Sequence, residues 1–229
     1  MNTDTVLPPG QIERADFPRF GLRQFAQRFP VETVRRQLQI AGDVQHCLLL
    51  EAEFAQLTRV QQCSDFHCVT TWTHRSLQWS GFRFADFYQQ LVLPLAVPAA
   101  HADFVVLRSQ DGYRCSLPLA DLLAADVLLA DRLNDQPLSI AHGAPLRLVA
   151  PAHYGYKSIK HLKSIEFFTS AAGYRPVGLQ FMAHPRARVA FEERGQGVPG
   201  WLLRQLYRPL VRSTAVNFAR ALQRHLPPS

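Results

Sequence analysis

The sequence predicts an α+β domain. Short strand-like runs are mixed with short helical runs, without the regular strand–helix alternation that winds a parallel sheet. The 229 residues are 47% hydrophobic and 19% charged, which suits a packed core and excludes a disordered chain. No internal repeat and no low-complexity tract interrupts this pattern.

The elements follow in order. Residues 1–34 read as an irregular N-terminal arm, with Pro8, Pro9, Pro18 and Pro30 and little periodicity. "RRQLQIAGDV" reads as a strand ending in a turn at Gly42-Asp43. "EAEFAQL" suits a short helix, and "TRVQQC" alternates like a strand. "RFADFYQQLVL" sets Phe84, Phe87, Tyr88 and Leu91 on one helical face. "DFVVLR" and "YRCSL" read as strands around the turn "DGY", where Gly112 can take positive φ. "PLADLLAAD" opens a helix with Pro118 near its first turn. "DVLLA" precedes a turn at "LNDQP". "PLRLVAP" is a strand, and "YGYKSIKHLKSIEFF" starts as a loop and runs into another.

The tail is different. "GWLLRQLYRPLVRSTAVNFARALQRH" carries Arg204, Arg208, Arg212, Arg220 and Arg224 and no acidic residue. The first three share a helical face, with Leu203, Leu206, Tyr207 and Leu210 largely opposite. Pro209 must kink or split the helix. The chain therefore divides into an arm (1–34), a central domain (35–170) and a basic helical extension (171–229) packed on it.

The formal charge is +7 and the pI about 9.6, which permits attraction to nucleic acid, anionic lipid or a small anion. The charge concentrates in the tail and no nucleic-acid-binding motif is visible, so no nucleic-acid partner is expected. Cys47, Cys63, Cys68 and Cys115 resemble no disulfide framework. The N-terminus shows no charged-then-apolar leader. No stretch reaches the ~18 apolar residues of a membrane span. "LVLPLAVPAA" comes nearest and is broken by Pro94 and Pro98. A reducing, cytoplasmic setting is the expectation.

"CSDFHCVTTWTHRSLQW" places His67 beside Cys68. Zinc would need a second ligand pair, and none follows. A cysteine nucleophile would need an oriented base. In an extended segment His67 points to the opposite face. The plain alternative is a buried, inert thiol. Downstream, "HGAPLRLVAP" places Arg147 on a strand after Gly143. "YGYKSIKHLKSIEF" offers amides around Ser158-Ile159, with Lys157 and Lys160. Glycine loops with adjacent amides and a lysine suit a phosphate. A thiolate in one segment and a phosphate cradle in another suggest one ligand with a metal end and a phosphate end.

Three blocks, "DFHCVTTW", "DFVVLRSQDGYRCSLPLADLL" and "DVLLADRLNDQPLSIAHGAPLRLVAPAHYGYKSIKHLKSIEF", resemble the molybdopterin-dependent catalytic domain of the sulfite oxidase family. They are most similar to its small bacterial members and to the protein-methionine-sulfoxide reductase catalytic subunit. The resemblance covers roughly Arg35 to Phe168. It implies a mixed β-sheet fold with short helices, a molybdopterin cofactor, and two-electron oxo transfer on a sulfite-like oxyanion or an S- or N-oxide. It makes Cys68 the metal ligand and catalytic centre. Ser109, His142, Arg147, Ser158, Ile159 and Lys160 become cofactor contacts, with Ser109 in place of a threonine and His142 in place of the reductase's asparagine. The family's early contacts lie in the variable arm, where "DFPRFG" stands. No haem-binding or dimerisation domain of the family is expected here, so the resemblance implies an external electron carrier.

His74, Arg75, Arg108, Arg114, His153 and Lys157 are candidates to set substrate charge, with most expected to be surface charges. For the basic tail, a docked helix with a solvated arginine face stands beside a surface for anionic lipid or a redox partner. The competing function is a binding module that keeps the fold without a functional metal.

Overall fold

The computed structural model describes residues 6–226. Two sheets carry the fold. In chain order the strands are β1 (Ile12–Glu13), β2 (Leu38–Gly42), β3 (Leu48–Leu50), β4 (Arg59–His67), β5 (Trp72–Arg83), β6 (Phe104–Ser109), β7 (Arg114–Pro118), β8 (Leu128–Leu133), β9 (Gln136–Pro137), β10 (Arg147–Val149) and β11 (Leu162–Phe168). The helices are α1 (Phe84–Phe87), α2 (Leu119–Leu122), α3 (Gly200–Tyr207) and α4 (Leu210–His225). Sheets of mixed pairing with few short helices make an α+β fold.

The first sheet runs β1-β5-β8-β10, with β4 on β5 and β9 on β8. Its axis is β5, the longest strand at 12 residues. The sequence alone does not mark β5, because polar Thr73-His74-Arg75-Ser76 masks any apolar period. Pairing decides it: β4 lies antiparallel along one edge, while β1 (parallel) and β8 (antiparallel) share the other. The arm is thus part of the sheet, Ile12 pairing with Trp72 and Glu13 with Thr73.

The second sheet runs β3-β2-β11-β6-β7, antiparallel except for β2 beside β11. Alternation works as expected in β2, where Leu38 and Ile40 are buried and Gln39 is exposed. One apolar cluster draws Ile40, Leu107 and Ile165 from this sheet, Phe82, Leu129 and Leu148 from the other, and Phe84, Phe87 and Leu91 from the helix that follows β5. That helix runs beyond the predicted "RFADFYQQLVL", continuing from α1 through Pro94 as a π-helix over Tyr88–Ala96. The wider turn takes a ring that would strike a carbonyl in an α-turn.

Beyond β11 the chain holds a 3-10 turn at Gln180–Met182 and an antiparallel bridge of Arg188 to His153, and α-helix begins only at Gly200. Arg194, wholly buried, ties this stretch inward by donating to Val69 O (2.6 Å) and Pro9 O (2.9 Å). Pro209 splits the tail into α3 and α4 as its sequence requires. Leu203, Tyr207, Thr214, Phe218 and Ala221 form the inward stripe. Leu206 and Leu210, on the same side as that stripe in the sequence, are 58% and 49% exposed.

Candidate active site

The β4–β5 hairpin builds the sulfur end. Cys68 sits at its tip, where its amide donates to Trp72 O (2.8 Å) and its carbonyl accepts the Thr71 amide (3.1 Å). Thr71 closes this turn at φ 85°, a strained position for a β-branched residue. A hydrogen-bonded chain braces the tip. His67 Nδ1 donates to Thr73 Oγ1 (2.8 Å), Thr73 Oγ1 donates to Gln11 Oε1 (3.1 Å), and Gln11 Nε2 donates to Cys68 O (3.1 Å). His67 Nδ1 is therefore turned to Thr73. Cys68 Sγ has Thr70 Oγ1 at 3.1 Å instead. Burial pushes the Cys68 thiol up; the Thr70 hydroxyl and the charges of Arg194 and Lys160 oppose that. A coordinated metal ion would remove its proton outright.

The loop after β10 builds the other end. Gly155 donates its amide to His67 O (2.7 Å), which straps the loop to the hairpin. Only glycine permits this approach, since a Cβ there would lie 2.0 Å from the Phe66 ring. Ser158 Oγ accepts the Ala150 amide (3.1 Å), and Ile159 donates its amide to Lys157 O (2.8 Å). Among the described residues, the amides of Ser158 and Lys160 reach no protein acceptor. Lys160 Nζ donates to Ala141 O (2.8 Å).

Both ends open into one cavity of about 340 Å³. Cys68, Ser109, Ser158, Ile159 and Lys160 line it together. His142 and Arg147 do not. Arg147 is wholly buried behind the wall, donating to His142 O (2.9 Å), Ser158 O (3.2 Å) and Leu148 O (3.3 Å). Its guanidinium is consumed by the backbone that carries the cradle. Gly143, at φ 112°, lets this corner close: a Cβ would meet Arg147 Cβ at 3.0 Å. His142 stacks on Phe17 at 4.7 Å, and its buried Nδ1 has no partner among the described residues.

None of His74, Arg75, Arg108, Arg114, His153 and Lys157 lines this cavity. Its cations are Arg19 and Arg23 from the arm, with Lys160. The arm's quoted "DFPRFG" supplies Arg19, Phe20 and Gly21. Tyr207, Leu210, Thr214 and Phe218 close the cavity from the tail. Sequence reasoning missed that closure, although the spacing of three and four in Tyr207, Leu210, Thr214 and Phe218 was its signal.

The charge balance is lopsided. Burial first, then the neighbouring charges of Arg147 and Arg19, hold Lys160 well below its ordinary value, with Asp111 the one carboxylate opposing them. Two unspent amides and crowded cations at one end, with a thiol at the other, fit a ligand with an anionic end and a thiophilic end.

A family described as the oxidoreductase molybdopterin binding domain matches residues 26–174. The chain belongs to this family. It is a molybdopterin-binding oxidoreductase domain of the sulfite oxidase type. The uncharacterized oxidoreductase YuiH of Bacillus subtilis is 35% identical over 162 residues, covering 70% of this chain and 78% of that protein. Mitochondrial sulfite oxidase of Homo sapiens is 31% identical over 139 residues, 58% of this chain and 24% of that one. The protein-methionine-sulfoxide reductase catalytic subunit MsrP of Campylobacter jejuni is 29% identical over 160 residues, 62% and 51% respectively. The chain thus matches only a quarter to a half of these two proteins' length. The sulfane dehydrogenase SoxCD of Paracoccus pantotrophus shares the fold, with TM-score 0.52 and 19% identity over 61% of this chain and 39% of that one.

The oxidoreductase domain carries a built-in acid sensitivity. Burial, then the charges of Lys160 and Arg147, lowers His142 to about 3, and burial lowers His161 to about 4. Both rings are neutral at pH 7, whereas an unfolded histidine titrates near ~6.5. Unfolding therefore takes up protons between these values. Stability is complete above about pH 6.5 and falls as pH drops towards 3–4. The expected result is a melting temperature of cofactor-free protein that declines steadily below about pH 6.5, with a shallower decline in His142→Asn. Superimposable profiles would remove His142 from the explanation.

Proposed function

We propose that the Cys68 cavity is the molybdopterin site and that the enzyme performs two-electron oxo transfer on a small substrate. The reading rests on one observation: Cys68 lines the same cavity as Ser158, Ile159 and Lys160. Cys68 would bind the metal as thiolate. The Ser158 and Lys160 amides and the Lys160 side chain would hold the phosphate, and Ser109 would line the pterin's path between them. Bound there, the cofactor supplies the exchange of two electrons and an oxygen atom with substrate. Arg147 and His142 act one layer back, Arg147 by fixing the backbone of the cradle.

Lys160→Met tests the assignment. Expressed in a cofactor-competent host, wild type should carry about one molybdenum per chain, and the variant about tenfold less pterin, in the range seen when a group that positions a cofactor is lost. Equal loading of both proteins removes Lys160 from the site.

We take the arm (1–34) and the extension (171–229) as parts of the domain that spans 35–170. The arm supplies a strand and Arg19, and the tail closes the cavity. An external electron carrier is the expected partner. MsrP is named a catalytic subunit, which implies a further component in that system. The four thiols are free, and two are exposed, which suits a reducing cytoplasm. No helix among the described residues is long and apolar enough to cross a membrane. The α3–α4 pair instead offers contact with an anionic membrane surface. Trp201, Leu202, Leu206 and Leu210 are exposed beside Arg208 and Arg212. Co-sedimentation with phosphatidylserine vesicles should be strong at low salt and weak at about 0.5 M, as screening predicts. Equal binding to zwitterionic vesicles would count against it.

A further inference from the structure

A second chamber of about 250 Å³ lies beside the Cys68 cavity. The two share Leu22, Val69, Tyr113, Tyr156 and Tyr207 as walls. Val69 follows Cys68 directly in sequence. The outer side is formed by Val177, Gln180, Ala183 and His184, which lie beyond residue 174, where the family match ends. This part of the lining therefore lies outside the matched family segment.

The chamber's lining is mainly aromatic and aliphatic, with Lys157 and Arg114 on its wall. Both cations on its wall already have carbonyl acceptors. Lys157 Nζ donates to Ser116 O (2.6 Å) and Pro185 O (2.7 Å), and Arg114 Nε donates to Arg175 O (2.9 Å). Burial lowers Lys157 to about 8 and raises the Cys115 thiol to about 12. His184 Nδ1 accepts the Ala187 amide (2.9 Å), so the neutral ring carries its proton on Nε2. The Tyr113 hydroxyl donates to Tyr156 O (2.8 Å). Tyrosine faces, Phe104 and aliphatic side chains complete the lining. An apolar ring would meet aromatic walls.

We propose that this chamber sets substrate specificity for the Cys68 site by receiving the apolar, ring-sized substituent of a neutral organic S- or N-oxide. The proposal rests on reading the Cys68 cavity as the molybdopterin site. For a sulfoxide the balance is simple: the sulfoxide takes up a pair of electrons and a pair of protons, and gives the thioether and one water. The S–O bond breaks, sulfur is reduced, and oxygen leaves as that water. A one-electron carrier supplies the electrons in successive transfers, and reduced viologen takes that place in an assay.

The test uses the full chain, wild type beside Ala183→Trp and Gln180→Trp. Gln180 is exposed at the rim, so its variant keeps the test alive if Ala183→Trp misfolds. Binding of methyl phenyl sulfone, which the assay reductant leaves intact, is read by ligand-observed NMR. Turnover of methyl phenyl sulfoxide and of dimethyl sulfoxide is measured with reduced viologen. Wild type should bind the sulfone and the variants should lose it. The variants' KM for the aryl sulfoxide should rise about tenfold while that for dimethyl sulfoxide stays within about twofold, as filling a hydrophobic pocket does. Molybdenum and pterin content should not change. Metal-loaded wild type that fails to bind the sulfone, or variants that lose both substrates equally, overturns the chamber. Protein that binds the sulfone at this wall but takes up no molybdenum under good loading retires the cofactor reading instead.

Discussion

Cys68→Ser should abolish oxo-transfer turnover while the fold and most of the pterin remain. Serine is nearly isosteric and the site is 7% exposed, so the expected stability change is small, about 1 kcal/mol. Thr70 Oγ1, 3.1 Å from Sγ, can hydrogen-bond the new hydroxyl. Chemistry should suffer far more. An alkoxide is a harder donor than a thiolate and is not formed readily from serine. Losing a partner of a metal ligand typically costs about 10–100-fold, and losing the ligand itself should exceed about 100-fold. Pterin is retained because the Ser158–Lys160 loop, the far end of the cavity, is untouched. Melting, pterin fluorescence after release, and viologen-linked turnover separate the three effects. Turnover within about threefold of wild type would falsify the metal-ligand assignment.

Arg147→Met should destabilise the domain and empty its cofactor site together. The guanidinium joins the carbonyls of His142, Leu148 and Ser158. Each buried carbonyl left without a donor costs about 1–3 kcal/mol. Relief from burying a cation, which lowers Arg147 to about 9, offsets part of this. The carbonyls win because their sum exceeds that relief, and the net loss should be about 3 kcal/mol. For a chain of this length that lowers the melting temperature by roughly 6–12 °C. Arg147→Lys should recover little, since a point charge cannot bridge three acceptors. A melting point within about 2 °C of wild type, with full pterin content, would show that the cradle stands without this residue.

Much of the site was legible in sequence because its parts are local. Cys68 lies just beyond the strand-like "TRVQQC", and the Ser158–Lys160 loop lies just before a strand. Those features depend on a few neighbouring residues and glycines, and the structure sets them in one cavity. Arg147 was harder. A charged residue near a glycine turn reads as a ligand contact, yet here three backbone carbonyls claim it. Only the fold places those acceptors around it. The arm was harder still. Pro8, Pro9, Pro18 and Pro30 advertise irregular backbone, but they say nothing of a two-residue strand at Ile12–Glu13 or of Arg19 reaching the cavity.

The sequence by itself determined the α+β class, strands β2, β4, β6, β7, β10 and β11, the split at Pro209, and the family. Turn residues, side-chain periodicity and motif order are properties of contiguous chain, so they survive without coordinates. Tertiary structure alone decided which cations face the cavity, that the tail caps it, and that β5 is the axis of its sheet. Those outcomes depend on contacts between residues far apart in sequence, where burial and competing hydrogen-bond partners choose among arrangements that local chemistry leaves equal.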